Sequence, residues 1–215
     1  MGATNSFNER HLNLLSFRLN GDARDEQGVT AWSAEYDSGR VAFDNPGAAA
    51  VDAGNAATAG QFHRFTLSGY HLGTMSAVDT LYTAINVQLA QHNLDSSQKL
   101  FVGGSSSVRA YDTASGSGDG GYVFNVEWRH ALPTEGYGLP VLVGFVDTAT
   151  VLVNAQPFAP SVNRATFSGA GVGLNWMGLD DLSLKTSIAH PIGGDPATGG
   201  VSRSTHAWVE LGKVF

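Results

Sequence analysis

Residues 122–130 read YVFNVEWRH, in which apolar and polar side chains alternate along the chain. Successive side chains of an extended segment point to opposite faces, so residues two apart share a face. One face of this segment is apolar (Tyr122, Phe124, Val126 and Trp128), and the other combines Val123 with polar side chains (Asn125, Glu127 and Arg129). The alternation predicts a β-strand with one oily side and one polar side.

Similar alternation recurs in segments of about ten residues, the length expected of strands that cross an outer membrane. Helical periodicity is hard to find, and no apolar run approaches the ~18 residues of a membrane-spanning helix. The sequence therefore predicts an all-β fold, an antiparallel meander of ten or so strands. We place them near residues 10–20, 29–43, 62–73, 80–91, 98–103, 121–131, 140–152, 165–177, 181–190 and 205–215.

The connections between these strands differ in length. Short links (92–97, 132–139 and 178–180) alternate with longer links rich in Gly, Ser, Pro, Asn and Asp (104–120, 153–164 and 191–204). Such alternation is typical of outer-membrane barrels, which carry short turns at one end and long loops at the other. The Ala- and Gly-rich stretch 44–61 is an exception, because it is long on the side where a short turn is expected. We interpret it as an irregular, mobile turn.

Two all-β architectures fit the alternation. In a transmembrane barrel the oily faces contact lipid, whereas in a soluble β-sandwich they pack against a second sheet. The opposite faces are rich in Gly, Ser, Asn and Gln, which suits a wet lumen, and the chain ends on an aromatic residue, Phe215, within an alternating segment. Both features favour the barrel. The tryptophans do not discriminate, since they would form an interfacial girdle in a barrel and core in a sandwich (Trp32, Trp128, Trp176 and Trp208).

Composition argues against several classes of function. The net charge is −7 without a long basic run, which argues against nucleic-acid binding. The chain has no cysteine, and its 7 histidines show neither HxxxH nor HxH spacing. The serines at 105–107 lack the strand-to-helix elbow of a serine nucleophile. We therefore predict a protein that is not an enzyme and that needs no metal or other cofactor.

Several motifs follow one another in the second half of the chain. They are LDSSQKLFVGG at 94–104, VRAY at 108–111, GDGGY at 118–122, FVDTA at 145–149, a Gly-x-Gly strand at 169–175 and the terminal Phe215. Taken in order, they resemble the haemolysin activation and secretion family, the transporters of two-partner secretion. The resemblance covers residues 85–215 well, whereas the first 80 residues match only in their strand-like texture.

The resemblance implies a sixteen-stranded outer-membrane barrel whose long sixth extracellular loop folds back into the pore. The tip of that loop corresponds to Val108, Arg109, Ala110 and Tyr111, and its arginine is expected to pair with Asp147 in the wall motif that begins at Phe145. A guanidinium in a narrow, partly desolvated lumen needs a carboxylate, which it can meet with two charge-assisted hydrogen bonds. Glu127, on the polar face of the preceding strand, is a second candidate partner.

This sequence departs from the family pattern at two glycines. Ala110 stands in the loop tip and Ala149 in the wall motif where the family has glycine. Alanine costs little where φ is negative but is disfavoured where φ is positive. The backbone of the tip is therefore expected to differ slightly, with both charged partners intact.

The resemblance also implies a pore in the bacterial outer membrane that translocates a large exoprotein, a haemolysin or adhesin. Its partners would be that exoprotein and membrane lipid. Residues 1–215 would form the C-terminal portion of the β-barrel translocator domain, an incomplete barrel with a curled sheet, because the family places periplasmic POTRA domains and further strands before this segment. The first residues lack the pattern of a signal peptide, so an exported protein is expected to begin upstream. The alternatives are an outer-membrane barrel-assembly factor of the same superfamily and a soluble β-sandwich binding module.

Overall fold

The computed structural model describes residues 9–134, 136, 138–178, 181–197 and 204–214. Nine of their strands form one antiparallel sheet in the order β1-β2-β3-β4-β7-β8-β9-β10-β11, called here the wall. The wall strands are β1 (Arg10–Asp25), β2 (Gly28–Phe43), β3 (Gly60–Thr74), β4 (Asp79–Ala90), β7 (Gly120–Ala131), β8 (Leu139–Leu152), β9 (Arg164–Met177), β10 (Leu182–Pro191) and β11 (His206–Lys213). A separate two-stranded sheet pairs β5 (Leu100–Val102) with β6 (Gly116–Gly118). The predicted antiparallel meander is confirmed.

One predicted strand does not belong to the wall. The alternation at 98–103 predicts a wall strand, but only Leu100–Val102 is extended, and it pairs with Gly116–Gly118. β4 pairs directly with β7, with Asp79 opposite His130. The whole stretch 91–119 is therefore one connection between two neighbouring wall strands, called here the inner loop. The prediction of a wall strand at 98–103 was wrong.

The smaller number of wall strands removes the exception at 44–61. Four long connections (44–59, 91–119, 153–163 and 192–205) now lie at one end of the sheet, and four shorter ones (26–27, 75–78, 132–138 and 178–181) lie at the other. The stretch 44–61 was expected among the short turns only because 98–103 was counted in the wall. All four long connections share one end, called here the long-loop end.

The stretch 44–61 contains a helix, α1 (Pro46–Ala53), so the prediction that this turn is irregular was wrong. Asn45 caps the helix, because its Oδ1 accepts hydrogen bonds from the backbone N–H groups of Gly47 at 2.7 Å and Ala48 at 3.3 Å. Proline then occupies the first helical position, where its missing N–H would have no partner in any case. The Asn-Pro pair before an Ala-rich run was the sequence signal for this helix.

The oily faces of the strands point away from the concave side of the wall and stay exposed. On β7, Tyr122, Phe124 and Trp128 are 41%, 38% and 41% exposed, whereas Val123 and Glu127 between them are 7% and 8% exposed. Outward apolar residues of other strands are exposed in the same way (Ile85, Leu89, Val146, Val172, Ile188 and Val209). A β-sandwich would cover these side chains with a second sheet. No such sheet exists in the described part of the chain, and the outward apolar band is that of a membrane barrel.

The wall curls around the inner loop, since strands from both of its edges reach that loop. Arg10 on β1 forms an ion pair with Asp95, with Nε 2.6 Å from Oδ2, and Trp208 on β11 donates a hydrogen bond to the carbonyl of Arg109. Among the described residues β1 and β11 each pair with one neighbour, so the wall is an open, curled sheet. The predicted C-terminal signature, Phe215, lies outside the described residues. No described helix is long and apolar enough to cross a bilayer.

Candidate functional site

The inner loop packs against the concave face of the wall and shares a hydrophobic core with it. Residues of the loop (Leu100, Val102, Val108, Ala110 and Tyr111) lie in one buried cluster with residues of the wall (Val123, Val143, Phe145, Ala149, Val151, Ala165, Phe167 and Ala189). Tyr111 is 1% exposed, and its ring meets that of Phe167 edge-on with centroids 5.2 Å apart. The sequence predicts a polar lumen face, but the face beneath this loop is largely apolar.

At the tip of the inner loop, Arg109 is in direct contact with Asp147 on β8. Nε of the arginine donates to Oδ2 at 2.9 Å and Nη2 donates to Oδ1 at 2.8 Å, which makes the pair bidentate. The backbone N–H of Arg109 also donates to Oδ2 at 3.1 Å. The carboxylate is fully buried, and only 11% of the arginine side chain is exposed. The structure thus brings together the two residues that the family resemblance pairs.

Glu127 on β7 lies within the same network. Arg109 Nη1 donates to Oε1 of Glu127 at 2.7 Å, and Arg129 donates to Oε2 through Nε at 2.8 Å. Two guanidinium groups therefore face two carboxylates, so little net charge is buried. Burial alone would disfavour the charged form of Arg109, but the hydrogen bonds and charge of Asp147, followed by those of Glu127, raise the pKa of the guanidinium above its ordinary value. The tip stays cationic.

Phe145 and Asn125 complete the socket for the arginine. The guanidinium carbon of Arg109 lies 3.4 Å from the ring centroid of Phe145, a cation–π contact. Asn125 Nδ2 donates to Asp147 Oδ1 and to the carbonyl of Ser107, both at 2.8 Å. The aromatic residue two positions before the acid is therefore a platform for the loop tip. These residues form what we call the tip cluster (Arg109, Asn125, Glu127, Phe145 and Asp147).

The two alanines that replace family glycines fit without backbone strain. Neither Ala110 nor Ala149 has a positive φ, so an L-side chain is tolerated at both positions. Space for the Ala110 methyl group comes from Gly169 on β9, because a Cβ placed on Gly169 would lie 2.3 Å from that of Ala110. The wall thus lacks a side chain at the point where the loop tip carries one.

A second buried carboxylate, Asp119, holds the base of the inner loop. Its Oδ1 accepts hydrogen bonds from Lys99 Nζ at 2.5 Å and from the backbone N–H of Leu94 at 3.1 Å. Its Oδ2 accepts one from the backbone N–H of Ala155 at 2.9 Å. Residues of the motif segments 94–104 and 118–122 therefore meet at this carboxylate. The sequence did not single out Lys99 or Asp119 as partners.

Replacing Lys99 by methionine is expected to destabilise the docked inner loop by about 1.5–3 kcal/mol, because a hydrogen bond between two charged groups is lost. Asp119 keeps its backbone donors, so the wall should still form. Protease cleavage of the inner loop in outer-membrane vesicles measures the effect. Lys185→Met is the matched control, because the Lys185 side chain is 60% exposed and its Nζ lies 3.4 Å from Oε1 of the exposed Glu210, so this ion pair contributes little. Equal cleavage rates in the two variants would contradict the role of Lys99.

A third buried acid, Asp37 on β2, connects the first strands to the same loop. It accepts hydrogen bonds from Arg64 through Nε at 2.9 Å and Nη2 at 2.5 Å, and from Ser16. Arg64 Nη1 also donates to the carbonyl of Gln98 at 3.1 Å. This pair was missed because the first 80 residues match the family only in texture. An aspartate in the middle of an alternating strand was the available signal, as it was for Asp147.

Trp208 does not belong to an outer aromatic girdle. Its indole N–H donates to the carbonyl oxygen of Arg109 at 2.8 Å, so the ring lies on the concave side of β11. Its neighbour Val209 is 75% exposed on the outer face. Trp32 and Trp128, at 42% and 41% exposure, do lie among the exposed side chains. Because neighbouring side chains of a strand point to opposite faces, the outward direction of Val209 makes Trp208 point inward.

A cavity of about 460 Å³ opens beside the tip cluster on the concave side. Polar, charged and aromatic side chains line it, including Tyr82, Arg109, Asn125, Glu127, Arg129 and Trp208. Such a mixed lining suits a water-filled passage better than a pocket for an apolar ligand. In the ranges that the structure describes, no group of three His, Cys, Asp or Glu side chains could hold a metal ion.

Comparison with known proteins places this arrangement in context. The family described as Haemolysin secretion/activation protein ShlB/FhaC/HecB matches residues 4–176, more than half of the chain. The Heme/hemopexin transporter protein HuxB of Haemophilus influenzae strain 86-028NP is 30% identical over 134 residues, which are 60% of this chain and 24% of that protein. HuxB of strain Rd is 28% identical over the same length. The chain thus spans about a quarter of the length of these relatives.

Two solved structures share the fold. CdiB from Escherichia coli has a TM-score of 0.74 and 21% sequence identity over 95% of this chain and 36% of its own. CdiB from Acinetobacter baumannii has a TM-score of 0.51 and 15% identity over 94% of this chain and 42% of its own. The curled nine-stranded wall is therefore similar to part of a larger barrel.

Proposed function

Because the chain belongs to the Haemolysin secretion/activation protein family ShlB/FhaC/HecB, we propose that it is part of an outer-membrane transporter of two-partner secretion. In this proposal residues 1–215 are the C-terminal portion of its β-barrel translocator domain. The exposed apolar band contacts lipid, and the concave side lines the path of a large secreted exoprotein of the haemolysin or adhesin type. POTRA domains in the full-length protein would deliver that exoprotein from the periplasm.

The observation that carries the proposal is the tip cluster. It anchors a loop of the long-loop end deep against the concave wall, where Arg109 meets two carboxylates and an aromatic ring. An exposed ion pair worth ~0–1 kcal/mol would not hold a loop in place, but an enclosed, bidentate pair can. The inner loop then occupies the passage in the resting transporter, and the exoprotein has to pass it during translocation.

The orientation follows from the wall. In outer-membrane barrels the long connections are extracellular and the short turns periplasmic. The long-loop end would therefore face outside, and the inner loop would enter the lumen from that side. We propose that binding of the exoprotein, and its folding outside, supply the free energy of translocation, since no ATP is available at that membrane.

Replacing Arg109 by alanine tests the proposal. Secretion of the exoprotein is expected to fall while the amount of transporter in the outer membrane stays unchanged, because the outward apolar band does not involve the tip. The measurement is the amount of exoprotein in the medium, with heat-modifiable migration of the transporter as a check on folding. Arg18→Ala is the matched control, because the Arg18 side chain is 65% exposed on β1.

Two outcomes would count against the proposal. Equal secretion by the Arg109→Ala variant and the parent would remove the assigned role of the tip. A general fall in unrelated outer-membrane barrel proteins, with secretion affected only later, would instead indicate the assembly factor of the same superfamily.

A further inference from the structure

Three exposed polar side chains lie side by side on the outer face of the wall, at its long-loop end. Arg40 on β2 is opposite Asn13 on β1 and Gln61 on β3, so the three share a face. This face is the outer one, because Asp37 and Val41, an odd number of residues from Arg40, are 0% and 2% exposed on the concave side. All three side chains carry N–H donors. We call them the donor row (Asn13, Arg40 and Gln61).

The same face becomes apolar next to the donor row, on the side away from the long-loop end. Phe17 and Phe65 lie opposite Tyr36 in the neighbouring strands, and the three side chains are 63%, 38% and 43% exposed. Strands β2 and β3 have wall strands on both sides, so their side chains keep this direction whatever strand lies next to β1. Together the two regions present apolar surface beside a group of donors, which is the pattern that an amphiphile with an anionic head group would match.

The guanidinium of Arg40 has no ion-pair partner among the described residues. Asp44, just after the end of β2, is bound by His11, with Nε2 3.0 Å from Oδ1. Arginines of the concave face, in contrast, form ion pairs with wall carboxylates (Arg18 with Glu35, Arg64 with Asp37 and Arg129 with Glu127). A guanidinium binds a phosphate group with two parallel, charge-assisted hydrogen bonds. Arg40 is therefore free to bind a phosphate group from outside the chain.

Charge is distributed unevenly over the outer face of the described wall strands. At the long-loop end the charged residues on this face are Arg40 and Arg164, the latter on β9 next to the buried Ala165. The carboxylates on this face, Asp25 and Asp79, lie at the opposite end of the strands. The outer face is thus cationic at the long-loop end, although the net charge of the chain is −7. A cationic rim of this kind attracts an anionic leaflet.

We propose that the donor row binds the phosphate group of a phosphorylated glycolipid in the outer leaflet, with the acyl chains of that lipid against Phe17, Tyr36 and Phe65. The inference rests on the proposed function in placing the long-loop end outside. Free phosphate would meet the same donors, but it has no acyl chains to bury against the aromatic side chains. The lipid therefore binds more tightly than the free anion.

Titration of the purified full-length transporter with diphosphoryl lipid A, followed by native mass spectrometry in detergent, tests the proposal. Arg40→Gln removes the charge and keeps a polar side chain, and it should weaken binding about fivefold, the usual contribution of one basic residue at an anionic lipid surface. Arg40→Lys should bind nearly as tightly as the parent. Arg24→Gln is the matched control, because Arg24 is also exposed and lacks an ion-pair partner within the described ranges, but lies on the concave face near the end of β1.

Two further probes separate the phosphate group from the rest of the lipid. Lipid A without phosphate groups should bind the parent and Arg40→Gln equally, and millimolar inorganic phosphate should leave diphosphoryl lipid A bound to the parent. Equal affinity of diphosphoryl lipid A for the parent and Arg40→Gln, or an equal loss in Arg24→Gln, would overturn the proposal. Displacement of the lipid by inorganic phosphate would overturn it too, since the site would then be one for a free anion. The titration needs no exoprotein, so it can fail while the secretion assay of Arg109→Ala still supports the transporter, and the reverse.

Discussion

Replacing Asp147 by alanine is expected to undock the tip of the inner loop at a cost of about 3–5 kcal/mol, the range measured when one partner of a buried ion pair is removed. The carboxylate accepts hydrogen bonds from the Arg109 side chain and backbone and from Asn125 Nδ2. Among the described residues, the other carboxylate that these donors bind is that of Glu127, which accepts a hydrogen bond from the Arg109 guanidinium. Glu127 is already shared with Arg129. The arginine would be left under-compensated in a site that excludes most water.

Protease cleavage or hydrogen exchange within 104–115 measures the undocking. Val146→Ala is the matched control, because Val146 is the preceding residue, points outward and is 48% exposed. A double-mutant cycle with Arg109→Ala separates the pair from its surroundings, since the double variant should cost clearly less than the sum of the single ones. Additive losses would show that the two residues act independently.

Replacing Gly169 by alanine is expected to displace the loop tip as well, through overlap instead of lost charge. The new methyl group would lie 2.3 Å from the Cβ of Ala110, far inside contact distance. Overpacking of this kind costs about 1–3 kcal/mol, and sometimes more when backbone must move. Secretion and loop protection are both expected to fall.

The second substitution Ala110→Gly should restore secretion and loop protection in the Gly169→Ala transporter. It removes the methyl group that collides, and the Cα of residue 110 lies 3.5 Å from the Cβ added at residue 169. Gly144→Ala is the control on the neighbouring strand β8, where the added Cβ would meet only Trp128 at 3.7 Å. Failure of the rescue, with the control unaffected, would mean that Gly169 acts through its backbone and not through the space it leaves.

Alternation was sufficient to predict the wall, because a strand with one face in lipid and one in the interior must repeat with a period of two. It was misleading at 98–103, where short extended pieces in the lumen look the same as wall strands. It gave no information on α1, which depends on a local cap at Asn45 and not on periodicity. Counting one strand too many then inverted the expected end for the stretch 44–61.

The candidate site was predictable only where a motif named both partners. Arg109 and Asp147 were paired through family resemblance, and Glu127 through its place on a polar face. Contacts made by backbone atoms could not be read in this way. Trp208 binds a carbonyl oxygen, and two of the three described donors to Asp119 are backbone N–H groups, so residue type in the sequence does not identify these partners. Gly169 was visible as part of a motif, but its fit to Ala110 depends on packing.

The shared core of the inner loop and the wall has a thermal consequence for the proposed transporter. Withdrawing the tip would wet Val108 and Tyr111, which are at most 1% exposed, and exposing such side chains costs about 1.5–3 kcal/mol each. Hydration of apolar surface carries a large positive heat capacity and its penalty weakens on cooling. An inner loop held by buried apolar surface is therefore held less strongly in the cold and more strongly on warming, whereas a loop held by charge alone would respond chiefly to ionic strength.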